Sequence, residues 1–171
     1  RARYRSPLAN WQLSPQARIA SPRISRDCGA KRSTKSHYLS ACAVSPDGSH
    51  AAAVALGQAD ITFSASLQLY RTDSEEIAAE CALGSEMPYD IAFVTDSVVC
   101  AVSEDRVRFC AADGTERGAY IAENGRIADY HFGGDGFVTL LVDPYETSSR
   151  AELITLQPDG SVLAQLSLSF M

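Results

Sequence analysis

One pattern constrains this chain more than any other: a strand, a tight turn and a second strand recur three times. Aligned on Asp47, Asp96 and Asp135, apolar residues stand three and five positions earlier: Val44 and Cys42, Phe93 and Ile91, Phe132 and Tyr130. A spacing of two places each pair on one face of a strand, because side chains alternate across the pleat. Behind each Asp come Gly48, Ser97 or Gly136 and then an apolar run, over 51–56, 98–102 and 137–142. A second hairpin follows each first one. Aligned on Asp73, Asp113 and Asp159, Leu67, Val107 and Leu153 stand six positions earlier, and runs over 77–83, 115–121 and 162–168 come after the turns.

Two hairpins in roughly 37–49 residues match the period of one propeller blade of four antiparallel strands. The chain therefore predicts an all-β fold, a partial β-propeller of three blades over about 38–84, 88–122 and 126–169. A β-sandwich or jelly roll of twelve strands is the alternative that turn spacing alone leaves open. The turns have a physical basis. Gly accepts positive φ, Asp and Asn tolerate it, and Pro pre-sets the first turn position, as in Pro46-Asp47-Gly48 and Pro158-Asp159-Gly160. The outer repeats carry inserts at 57–64 and 144–150, both between second and third strands, which predicts loops on a single rim. Three blades are fewer than the four to eight of a closed ring. Together with the missing initiating Met, this suggests a fragment of a longer protein, with apolar faces left uncovered on both end blades.

The stretch Ala41-Cys42-Ala43-Val44-Ser45-Pro46-Asp47-Gly48-Ser49-His50 resembles the Ser-Pro-Asp-Gly hairpin of WD40-like repeats. Its continuation to Leu168 resembles a family of uncharacterised bacterial propeller-like proteins of unknown function. That resemblance implies an extracytoplasmic, membrane-anchored protein, although no anchor helix precedes Tyr38 and no Trp-Asp pair closes any repeat. It supplies no catalytic residues.

Charge divides the chain. Residues 1–37 hold nine Arg or Lys against one acid, a net +8. The remaining residues hold six basic side chains against twenty acids, a net −14. The body thus repels nucleic acid and anionic lipid at long range. The 1–37 segment, rich in Ser and Arg and bearing three Ser-Pro pairs, has no sustained apolar period and reads as a disordered basic tail. Hydrophobic residues make up 46% of the chain, enough for a core beyond it. No apolar run approaches the about 20 residues of a membrane span.

Chemistry is sparse. The turn aspartates Asp47, Asp96, Asp113, Asp135 and Asp159 read as turn residues rather than calcium ligands, since no loop converges six to eight oxygens. Gly133-Gly134-Asp135-Gly136 lacks phosphate-loop spacing. His37, His50 and His131 form no ligand pair, and His131 should face away from its core-directed neighbours. Glu75-Glu76 and Glu104-Asp105 are adjacent and so diverge. Cys28, Cys42, Cys81, Cys100 and Cys110 contain no Cys-x-x-Cys pair; Cys42, Cys100 and Cys110 read as small buried hydrophobes. No catalytic, cofactor-binding or metal-binding residue is assigned, and no cofactor. The expected function is a non-catalytic interaction or scaffold module that binds another protein or an envelope component through rim loops. The alternative is an enzyme with an active site on the propeller axis, completed by further blades.

Overall fold

The computed structural model describes residues 36–59, 61–74, 76–146 and 150–168. Twelve strands run in chain order and no helix occurs among the described residues. The first blade is β1 (Ser36–Val44), β2 (His50–Ala59), β3 (Thr62–Arg71) and β4 (Ile77–Gly84). The second is β5 (Asp90–Thr95), β6 (Val98–Val102), β7 (Arg106–Ala111) and β8 (Glu116–Ile121). The third is β9 (Gly125–Phe132), β10 (Val138–Pro144), β11 (Glu152–Leu156) and β12 (Val162–Ser167). Each set of four consecutive strands forms its own antiparallel sheet in sequential order, with no strand exchanged between sheets. That topology is the blade arrangement and excludes the sandwich. β1 lies beside β5, so the first strands of neighbouring blades converge.

The blades stack through alternating faces, as the period of two requires. Val54, Leu67, Leu69 and Leu83 of blade 1 pack with Ile91, Phe93, Val99 and Ala101 of blade 2. The opposite face of blade 2, including Cys100, Val102, Val107 and Phe109, packs with Val138, Leu140, Ile154 and Leu156 of blade 3. A buried side chain of this size contributes about 1.5–3 kcal/mol over the same residue in water, so two such layers dominate the folding energy. Both faces of β6 are consumed, and four of its five residues are buried.

Two expectations need correcting. Cys42 is exposed and Val44 is 47% exposed. They occupy the face equivalent to that of Ile91 and Phe93, but in blade 1 this face points away from blade 2, and no described element covers it. The residues of β1 that reach the core are Ala41 and Ala43. The tail boundary also moves: Ser36 and His37 pair with Gln58 and Gly57, while the rest of the expected 1–37 tail lies outside the described residues. The open face of blade 3 exposes Leu153 and Leu166, as expected of an end blade, but it is less apolar than its counterpart in blade 2. Thr139 and Thr155 pair across it, in the places that Cys100 and Phe109 hold in blade 2.

Candidate interaction surface

Antiparallel order sends every first-to-second and third-to-fourth turn to one rim. The second-to-third hairpins and the connections between blades go to the other. The two rims differ in chemistry.

The first rim gathers the turn aspartates. Asp47, Asp113, Asp135 and Asp159 each accept the backbone N–H two residues on, from Ser49 at 2.9 Å, Thr115 at 2.9 Å, Phe137 at 3.4 Å and Ser161 at 3.0 Å. These bonds close the local turns and leave the backbone satisfied. Asp96 differs: its Oδ1 accepts the Asp47 N–H at 3.1 Å, tying the turns of two blades together. In the Ser45-Pro46-Asp47-Gly48 turn, the buried Ser45 hydroxyl donates to Asp47 Oδ1 at 2.6 Å and its oxygen accepts the His50 N–H at 2.9 Å. The hydroxyls of Ser45 and then Ser49 pull the Asp47 carboxyl down to about 2. Asp113 is lowered chiefly by the Thr115 amide, and Asp159 by the Ser161 hydroxyl. Their carboxylates are engaged in holding turns.

The opposite rim is built by longer elements. The expected 57–64 loop is strand: Gly57 pairs with Ser64, Gln58 with Phe63 and Ala59 with Thr62, with Ile61 in the turn beyond them. β2 has ten residues where β6 has five. The hairpin therefore projects roughly 16 Å past its counterpart in blade 2, at about 3.3 Å per residue. The 144–150 insert is partly strand too, since Pro144 ends β10 and pairs with Gly125; residues 147–149 lie outside the described residues. This rim exposes Ile61 (94%), Tyr145 (63%), Phe63 (52%), Met87 (52%) and Tyr89 (49%).

Backbone bonds brace it. Ile127 N–H donates to the Glu104 carbonyl at 2.7 Å, Ala122 N–H to that of Asp105 at 2.8 Å, and Tyr145 N–H to that of Asn124 at 3.0 Å. Glu86, in the connection from blade 1 to blade 2, accepts from Arg106 and, at 2.9 and 2.7 Å, from Arg108. Arg108 also donates to Glu116 at 2.9 Å. Contact with Glu86 raises the Arg108 pKa, so the cation is fixed. Two clefts open between the elements. One of about 570 Å³ is lined by Tyr120, Asn124, Val142, Arg150 and Glu152. The other, of about 370 Å³, lies among Tyr89, Glu104, Arg126 and Tyr130.

On the converging first strands, Tyr130 donates its hydroxyl to Asp90 at 2.8 Å, and burial followed by that bond holds the phenol protonated. The Tyr130 ring stands 5.9 Å from Tyr89 and 5.3 Å from Phe132. His131 is exposed and turned from this layer. Among the described residues, no three His, Cys, Asp or Glu side chains group to hold a metal ion, and no helix is long and apolar enough to cross a membrane. Spacing pairs Tyr130 with Phe132 in the sequence, but Tyr89 and Asp90 lie in the preceding repeat, so their meeting with Tyr130 has no local signal.

No protein-family model matches the chain, and no curated protein matches it. Among solved structures it is similar to the Dos1 propeller, with a TM-score of 0.48 and 12% identity over 79% of this chain and 35% of that one. It is also similar to the C-terminal WD40 domain of Sif2, with a TM-score of 0.35 and 9% identity over 70% of this chain and 55% of that one. The chain thus spans about a third and about half of those two structures. The blade assignment rests on strand order and register.

Proposed function

We propose that this chain is a non-catalytic interaction module, part of a larger propeller, that binds another protein on the rim formed by the β2–β3 and β10–β11 hairpins. One observation carries the reading. Large apolar and aromatic side chains stand in solvent on that rim, braced by backbone and ionic contacts, whereas the other rim ends in hydrogen-bonded aspartate turns. Exposed aromatic and apolar side chains on a preorganised frame supply binding energy at low ordering cost. The sequence resemblance supports an extracytoplasmic place for this chain in a bacterial setting, with another protein or an envelope component as its partner.

The test is a pair of variants on opposite rims. Ile61→Asp combined with Tyr145→Asp should leave the circular dichroism spectrum and Tm close to wild type and abolish retention of proteins captured by the intact chain. Asp113→Asn should leave retention unchanged. Capture that survives the double substitution would reject this rim as the binding surface.

A further inference from the structure

Two of the buried cysteines meet across a blade boundary. Cys81 sits on β4 of blade 1 and Cys110 on β7 of blade 2, 29 residues apart in sequence, with their Sγ atoms 2.6 Å apart. Both are free thiols packed in the same apolar layer. Cys100 lies in the other layer and Cys42 is exposed, so neither shares this setting. We propose that Cys81 and Cys110 are a redox-convertible pair whose oxidation staples blade 1 to blade 2.

The sulfur separation fits the bond. An S–S bond is about 2.05 Å long, so closing it takes a shift of about 0.6 Å. The two thiols are also unequally placed. Their mutual contact lowers the Cys81 thiol and raises that of Cys110, whose burial adds to the rise. Cys81 is the attacking sulfur because it lies on the edge strand β4, where an oxidant can reach it as the thiolate, whereas β7 is paired on both sides. The oxidant class is a disulfide, with oxidised glutathione as the probe. Cys81 thiolate attacks it and releases one glutathione thiolate, leaving a mixed disulfide. Cys110 then gives up its proton, attacks Cys81 Sγ and expels the second glutathione. Two protein thiols lose two electrons, one disulfide gains them, and two glutathione thiols leave.

Access comes from the edge. Cys81 is only 3% exposed, but β4 is the last strand of its sheet and pairs with β3 alone. Local opening of an edge strand uncovers Cys81 without unfolding the blade. The consequence is specific to a structure whose sheets share no backbone ladder. Blades 1 and 2 are joined by side-chain packing, a few hydrogen bonds and one connection, and the new bond would close a loop of about 30 residues across that boundary.

The full chain should be equilibrated with oxidised and reduced glutathione, alkylated, digested and read by mass spectrometry, with Tm measured in parallel. A linked Cys81–Cys110 peptide should dominate, and Tm should rise on the order of 10 °C and fall back with dithiothreitol. Cys42→Ser and Cys100→Ser should leave the link intact; Cys81→Ser and Cys110→Ser should abolish both link and shift. The wild-type measurement needs no variant to fold. Free alkylated thiols at both positions, a persistent glutathione adduct, or a link from either to another cysteine would overturn the pairing. A correct link without a gain in Tm would overturn the staple.

Discussion

Phe109 and Asp47 show how differently single residues act here. Phe109 is fully buried between blades 2 and 3, whereas Phe93 keeps 8% exposure between blades 1 and 2. Phe109→Ala should cost about 3–5 kcal/mol in denaturant unfolding, with Phe93→Ala at the low end of that range. Wild-type stability in the Phe109 variant would contradict its packing. Asp47 is exposed and acts through protonation. Its folded pKa, about 2, lies below the ordinary 3.8. The stabilisation is therefore complete above about pH 4 and is lost as pH falls towards 2. Asp47→Asn cannot titrate, so its Tm should decline less steeply over that interval. An unchanged slope would assign the acid sensitivity to other carboxylates.

Between elements, the repeated Asp-Gly turns do more than reverse the chain. Gly114 has φ 85° and stands over Ala79 and Glu80 of β4; its repeat equivalent Gly160 has φ 81° and stands over Ala119 of β8. The third-to-fourth turns of blades 2 and 3 are thus seated on the outer strand of the preceding blade. Gly118 receives the blade 3 turn: a Cβ there would overlap the Asp159 carbonyl oxygen, a backbone atom with little room to move. Gly118→Ala should destabilise by about 1–3 kcal/mol. Gly134→Ala, which meets nothing within 4 Å, should stay within about 0.5 kcal/mol of wild type. Equal melting shifts in the two would remove the seated turn from the account of blade docking.

Across the whole molecule, polarity is divided by topology. A residue's place before or after an odd-numbered strand decides which rim it joins, so the turn aspartates Asp47, Asp96, Asp113, Asp135 and Asp159 collect at one end and Ile61, Phe63, Met87, Tyr89 and Tyr145 at the other. The rim substitutions proposed above test the apolar end. The glutathione equilibrium tests the seam between blades 1 and 2, and its outcome does not depend on where a partner binds.

The sequence by itself determined the four-strand period, the turn positions and which residues share a face of each strand, because alternation and turn chemistry are local. The equivalence of Cys42, Ile91 and Tyr130 could be read from residue spacing alone. Whether such a face is covered is non-local, which is why Cys42 reads as buried in the sequence and is exposed in the fold. The same limit turned the 57–64 insert from an expected loop into paired strand, since Gly57, Gln58 and Ala59 have cross-strand partners that no single run of residues announces. Only the tertiary structure brought Cys81 to Cys110, Tyr130 to Asp90 and Gly118 to the Asp159 turn. Each of these contacts joins two blades, and stacking direction is set by the packing of whole sheets rather than by the order of residues within one.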